Sequence, residues 1–118
     1  MSKSQKQLQV AEQIRRNIAE IFADDHNLSI PGVHFTITKA DVSPDVKNAK
    51  VFVNIFGTID KAKLIAQINK SSAYFRGRLS KVMQIRHTPE LLFILDDAAD
   101  QANKINKLIE EEKKKFDI

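Results

Sequence analysis

The sequence predicts a single α+β domain in which helices pack against one three-stranded sheet. Two observations indicate this fold class. Apolar residues recur at helical spacing in four segments, and they alternate with polar residues in two others. With 118 residues, 42% of them hydrophobic, the chain is long enough to bury one core, and helices on one face of the sheet would cover every apolar stripe.

The N-terminal half predicts one helix and two paired strands. An apolar stripe at helical spacing runs through residues 4–23, and a Pro-Gly pair closes the loop that follows. Residues 33–37 alternate as a strand does, and the alternation slips near residues 38–40, which indicates a bulge. A turn at residues 43–45 leads to a second alternating strand over residues 49–55. Because the connection is short, we expect the two strands to pair antiparallel.

The C-terminal half predicts further helices and one more strand. Residues 59–69 have the pattern of a short amphipathic helix, and a basic helix follows. The unbroken apolar run at residues 91–95 indicates a strand that is covered on both faces or lies in the middle of the sheet. A final helix ends the domain, which spans residues 1–118, and we expect its charged end to be mobile from about residue 110.

Three small residues, Ser71, Ser72 and Ala73, separate the two middle helices. Small side chains allow helices to approach each other closely, so we expect a tight kink here. The prediction is two separate helices rather than one straight helix.

Positive charge is concentrated in one segment of the chain. Residues 70–86 contain five basic residues and no Asp or Glu, so the remainder of this +4 chain carries about −1. A focused basic surface on a small domain attracts a phosphate backbone. The segment is therefore the first candidate for a binding surface.

The basic helix divides into two faces. One face carries the apolar residues, which are Phe75, Leu79, Val82 and Met83. The opposite face carries one aromatic ring among cations, namely Lys70, Tyr74, Arg78 and Lys81. We expect the apolar face to pack on the sheet. On the other face, Tyr74 is suited to stack on an unpaired base while the cations hold phosphates; the alternative is an ordinary solvated helix face.

Five further residues are candidate flanking contacts to RNA: Arg76, Arg86, His87, Lys47 and Lys50. The first three lie in or next to the basic segment, and the two lysines flank the hairpin. For Arg86 the alternative role is to brace the turn before Pro89. For the two lysines the alternative is simple solvation.

Several classes of chemistry find no support in the sequence. The chain has no cysteine, which excludes disulfides, thiol nucleophiles and Cys-type zinc sites. Its three histidines lack paired metal spacing, and it shows no acid–base pair and no Gly-rich phosphate loop. We therefore predict no catalytic residue, no metal and no cofactor. The polar N-terminus and the lack of any apolar run near ~18 residues predict a cytoplasmic protein that does not enter a membrane. We also expect the protein to be a monomer.

Three segments resemble ribosome-binding factor A, a family of bacterial assembly factors for the small ribosomal subunit. They are residues 42–53, residues 75–93 and the Asp96-Asp97 pair that leads into the final helix. The most specific piece is the run from Arg86 through Pro89-Glu90 to Phe93. The family usually has Ala-x-Gly at the helix junction, where this sequence has Ser71-Ser72-Ala73.

The resemblance implies a KH-like fold of the helix-first type, in the order helix, strand, strand, helix, kink, helix, strand and C-terminal helix. It also implies non-catalytic binding to the immature small subunit through its ribosomal RNA, in support of late maturation of that RNA, and most of all in the cold. The residues alone leave a second function open, which is a small interaction module whose basic face binds an acidic partner protein.

Overall fold

The computed structural model describes residues 3–96, which form one α+β unit. Its elements, in chain order, are α1 (Gln5–Asp24), a 3₁₀ turn (His26–Leu28), β1 (His34–Val42), β2 (Asn48–Phe56), α2 (Lys61–Lys70), α3 (Ser72–Met83) and β3 (Glu90–Leu95). This order confirms the predicted succession of helices and strands through the third strand, and it adds the 3₁₀ turn. The predicted final helix and the predicted mobile end lie outside the described residues.

The three strands form one sheet in the order β1-β2-β3. β1 and β2 are antiparallel, as their short connection predicts, whereas β3 runs parallel to β2 because two helices carry the chain back along the sheet. The pairing register of β1 with β2 shifts between Ile37 and Lys39. The predicted bulge is therefore confirmed.

The helices pack against the sheet around one apolar core. The apolar stripe of α1 is buried from Ala11 onward, and Ile14 and Ile18 are both 0% exposed, whereas Leu8 near the start of the helix is 56% exposed. An aromatic cluster joins α1, α3 and β3, because the rings of Phe22, Phe75 and Phe93 lie with centroids 5.0 to 5.6 Å apart. These contacts fix how α3 is rotated on the sheet.

α2 and α3 are separate helices that meet at Ser71, which confirms the predicted kink. Ser71 has φ −99° and ψ 15°, and its N–H bonds back to the carbonyl of Ile68 at 3.0 Å. Among the described residues, the non-glycine positions with positive φ are Val46 and Gln84. The kink thus uses no left-handed backbone, which explains how the junction forms without a glycine.

β3 is an edge strand, yet it is buried on both faces. Its odd-numbered residues belong to the core that the helices enclose, while Leu92 and Ile94, on the opposite face, are only 7% and 0% exposed. Of the two predicted alternatives, the strand covered on both faces is confirmed. The side-chain amide of Asn69 exchanges two hydrogen bonds with the backbone of Phe93, both at 2.8 Å, and so satisfies part of the edge of the strand.

The prediction that the whole apolar stripe of α3 is buried is wrong for one residue. Phe75, Leu79 and Met83 are buried, whereas Val82 is 55% exposed. The buried residues follow each other at intervals of four, and Val82 lies about 60° to one side of Leu79 on the helix. It is therefore displaced from the packed face toward the side that carries Arg78.

Candidate nucleic-acid interface

The core contacts of α3 decide which of its residues reach solvent. Phe75 and Leu79 are 3% and 0% exposed, so the other side of the helix faces outward. Residues on that side, together with the last residue of α2, form what we term the α3 patch: Lys70, Tyr74, Arg78 and Lys81. Lys70, Tyr74 and Lys81 are exposed, as predicted for a solvent-facing surface.

Tyr74 holds an aromatic ring at this surface in a defined orientation. Its ring meets Phe75 edge-on, with the centroids 5.2 Å apart, and the residue is still 51% exposed. A ring that is braced on one side and open on the other is suited to stacking on a flat ligand.

Arg78 is less free than the sequence suggested. Its Nη1 lies 4.0 Å from Oδ2 of Asp25 and donates a 3.4 Å hydrogen bond to the Tyr74 hydroxyl. The guanidinium carbon is also 6.0 Å from the centre of the Tyr74 ring. The side chain is 35% exposed, so the expectation that Arg78 simply faces solvent is wrong. It lies close to a buried carboxylate from another part of the chain.

Arg76, rather than Arg86, braces the turn before Pro89. The Nε of Arg76 donates a 2.9 Å hydrogen bond to the carbonyl of Thr88, which is itself buried. Arg86 lies two residues after Gln84, the left-handed residue that caps the C-terminal end of α3, and it is exposed. The bracing role predicted as an alternative for Arg86 thus belongs to Arg76.

A second group of basic residues surrounds the connection between β1 and β2. Lys6, Lys47, Arg86 and His87 line one depression, and Lys47 and His87 line the next one together with Arg76. We refer to these five residues as the turn patch. The sequence predicted four of them, and the fold brings those four together.

Two acidic side chains, Asp45 and Glu90, lie among the basic residues of the turn patch. Asp45 accepts hydrogen bonds from the Ser43 hydroxyl at 2.6 Å and from the backbone N–H of Lys47 at 3.0 Å. These bonds, the Ser43 bond foremost, lower the pKa of Asp45 below its ordinary value. The carboxylate therefore serves to order the turn that positions Lys47.

Lys50 does not belong to the exposed basic surface. It lies on the central strand β2, between Asp41 of β1 and Leu92 of β3 in the pairing register, and it is only 6% exposed. The predicted role of Lys50 as an extension of the surface is therefore wrong.

The two patches lie on different sides of α3. Arg76 and Lys81 point about 140° apart around the helix axis, given a turn of about 100° per residue. The exposed residues Gly77 and Ser80 lie between them along the outer side of the helix. A phosphate backbone that contacts both patches has to pass over this outer side.

Two residues that the sequence did not single out take part in these surfaces. Lys6 enters the turn patch because α1 places it beside the connection between β1 and β2. Asp25, just after α1, lies beside Arg78. Neither shows a local signal, since both acquire their neighbours only through packing between elements that are distant in the chain.

Within residues 3–96, no three His, Asp or Glu side chains come close enough together to form a metal site. Over the same stretch, no helix has the length and apolar character needed to cross a membrane.

These observations define a small α+β domain with a basic surface on its third helix. The family model for ribosome-binding factor A matches residues 6–109, and the chain belongs to that family. A relative described as ribosome-binding factor A from Phenylobacterium zucineum is 32% identical over 117 residues, which cover 98% of this chain and 81% of the relative.

Solved structures of the family share the fold. The crystal structure of ribosome-binding factor A from Thermus thermophilus is 18% identical to this chain, with a TM-score of 0.62, and the match covers 75% of this chain and 94% of that one. A homology model of the Thermus thermophilus factor, fitted into a cryo-EM map of its complex with the 30S particle, gives a TM-score of 0.63 at 20% identity over 77% of this chain and 99% of that one. The KH-like fold implied by the sequence resemblance is confirmed.

Proposed function

We propose that this protein is a non-catalytic ribosome assembly factor, which binds the immature small ribosomal subunit through its ribosomal RNA and supports late maturation of that RNA. The observation that carries the proposal is its membership of the ribosome-binding factor A family over residues 6–109. The complex of the Thermus thermophilus factor with the 30S particle supports the small subunit as the partner. We further propose that the protein acts in the cytoplasm, as a monomer, and that it is needed most in the cold.

The α3 patch supplies the chemistry for phosphate binding. Lys70 and Lys81 are exposed, and α3 itself contains no acidic residue, so their charges add in one region. Cations of this kind gain affinity for RNA by releasing the counterions that screen its phosphates. Tyr74 adds a ring that can stack on an unpaired base, a mode that does not depend on salt in the same way.

The turn patch extends the surface in this proposal. Lys47, Arg86 and His87 are exposed around one depression and contribute further phosphate contacts. Arg76 contributes less, because its Nε is already bonded to the carbonyl of Thr88. Lys50 is left out because it is buried.

Co-sedimentation with purified small subunits over a series of salt concentrations tests the proposal. The variant Lys70→Gln/Lys81→Gln removes two charges from the α3 patch. We expect weaker binding, and a plot of log affinity against log salt that is flatter by about 1.4 to 1.8 units, at 0.7 to 0.9 per lost phosphate contact. The control Arg16→Gln/Lys63→Gln loses the same charge from exposed positions on α1 and α2 and should change the slope much less.

Two results would contradict the proposal. Equal association with large and small subunits would show only general attraction to RNA. If neither variant changed the binding of small subunits, the interface would lie away from α3. If the protein instead bound acidic proteins in a lysate treated with nuclease, and no subunits at all, the alternative of a protein-interaction module would stand.

The part of the proposal that concerns maturation has its own readout. Depletion of the protein in its host should raise the fraction of small-subunit RNA that keeps unprocessed ends, and growth at low temperature should increase this effect. Restoring the wild-type chain, but not the Lys70→Gln/Lys81→Gln variant, should reverse it. An unchanged fraction of unprocessed RNA after depletion would refute the role in maturation without affecting the binding result.

A further inference from the structure

A pocket of about 150 Å³ lies next to the α3 patch, where the 3₁₀ turn, α2 and the start of α3 meet. Leu28, Leu64 and Phe75 provide apolar walls, and Tyr74 and Ser71 lie among its lining residues. A cavity of this volume in another protein holds one benzene ring. The pocket therefore has room for a single six-membered ring, and it is much larger than one water molecule requires.

The polar group of interest in this pocket is the carboxylate of Asp25. The residue is 5% exposed, and its Oδ1 accepts a 2.8 Å hydrogen bond from the N–H of Asn27. Its Oδ2 is buried and accepts no hydrogen bond from any of the described residues. Buried carboxylate oxygens normally have donors, because an unmet acceptor costs free energy.

Arg78 balances the charge of Asp25 but does not satisfy its oxygen. Nη1 of Arg78 is 4.0 Å from Oδ2, which is beyond hydrogen-bond distance, and it donates instead to the Tyr74 hydroxyl at 3.4 Å. The pocket thus combines apolar walls, an aromatic ring and a neutralised acceptor that still lacks a donor. This combination is typical of a site for a flat ligand with an N–H group at its edge.

We propose, on the basis of the RNA-binding function proposed above, that this pocket binds one unpaired cytosine. The single ring of cytosine matches the volume, and its exocyclic amino group is the donor that Asp25 Oδ2 lacks. Tyr74 packs against the base, and Lys70, next to Ser71 in the chain, lies near the flanking phosphate. Uracil has the same shape but presents a carbonyl oxygen where cytosine presents the amino group. Its N3–H lies one ring position away, so uracil in the same pose brings an oxygen, which the carboxylate repels, to Asp25 Oδ2. A purine adds a second ring, which exceeds this volume and has to lie outside the pocket.

Binding of short labelled RNAs, measured by fluorescence anisotropy, tests this inference. The RNAs UUUCUUU, UUUUUUU and UUUAUUU carry the same charge and differ at one base. We expect the first to bind about tenfold more tightly than the second, the factor that one good polar contact to a base gives, and the third to bind like the second. The ratio of the affinities for the first two RNAs should not change with salt, because the protein neutralises the same number of phosphates in both.

Matched variants assign the preference to residues. Asp25→Asn keeps the oxygen that caps the 3₁₀ turn and adds an amide N–H₂, so it should remove or reverse the preference for cytosine over uracil. Lys70→Gln should weaken the binding of the cytosine and uracil RNAs equally and leave the ratio of their affinities unchanged. Tyr74→Leu should weaken the cytosine RNA more than Tyr74→Phe does, because Phe keeps the ring. Circular dichroism melts show whether each variant is folded. The ratio of the cytosine and uracil affinities of the wild-type protein tests the proposal even if a variant fails to fold.

The possible outcomes separate this inference from the proposed function. Equal affinity of the wild-type protein for the cytosine and uracil RNAs would overturn the inference and leave Asp25 as the partner of Arg78 alone. A preference for cytosine that survives in folded Asp25→Asn would overturn it too. If the wild-type protein binds small subunits but none of the three RNAs, the inference fails while the proposed function stands. If the protein does not bind small subunits, the proposed function itself fails.

Discussion

The inner face of α3 packs Phe75 against the rings of Phe22 and Phe93, whereas its outer face places Tyr74 and Lys81 in solvent. One helix thus carries both the core and the candidate interface. Residues on the inner face set the stability of the domain and affect binding only through folding. Substitutions on the outer face can change binding at little cost to stability. Arg78 belongs fully to neither face, because it lies beside buried Asp25.

Truncation on the inner face gives the largest expected effect. Leu79 is 0% exposed at the centre of the buried stripe, so Leu79→Ala should lower the free energy of unfolding by about 2–5 kcal/mol. A urea melt followed by circular dichroism measures this. Binding of small subunits by the fraction that remains folded should be unchanged. A loss below about 1 kcal/mol would mean that α3 packs through another face.

A comparison of Arg78 with Lys81 tests the border between the two faces. Arg78→Glu places a negative charge beside the buried carboxylate of Asp25 and should cost about 1–2 kcal/mol of stability, less than the loss of a fully buried pair because Arg78 is partly exposed. Lys81→Glu makes the same change of charge at an exposed position and should leave stability within about 0.5 kcal/mol. Both variants should bind small subunits more weakly.

Urea melts and co-sedimentation of the same two variants separate these effects. Equal stability of the Arg78→Glu and Lys81→Glu variants would show that Arg78 and Asp25 do not interact in solution. The two residues would then be equivalent members of the α3 patch, as the sequence alone suggested.

The order of the elements was predictable because it depends on local patterns. Helical spacing and alternation mark each helix and strand within its own segment, and the slip in β1 marked the bulge at Ile37 and Lys39. The 3₁₀ turn at residues 26–28 has too few residues to show a period, and it was not predicted. The kink was predictable from small side chains, although its backbone angles were not.

The candidate site was predictable only in part, because it depends on which elements lie side by side. The cations of α3 could be located from helical spacing alone. Lys50 has a strand on each side, and the sequence does not state the strand order that puts them there. The contacts of Arg78 with Asp25 and of Arg76 with Thr88 join separate elements and have no local signature.

Val82 gives the smallest expected effect and the most direct test of where the two faces of α3 meet. It is 55% exposed, so Val82→Ala removes little buried surface. Ala also has a higher helix propensity than Val, by up to about 0.7 kcal/mol, which offsets the lost contact. The free energy of unfolding should therefore change by less than about 0.5 kcal/mol, in either direction, in the urea melt used for Leu79→Ala. A loss above about 1 kcal/mol would show that Val82 packs in the core, as the helical spacing first indicated, and that the border between the faces lies closer to Arg78.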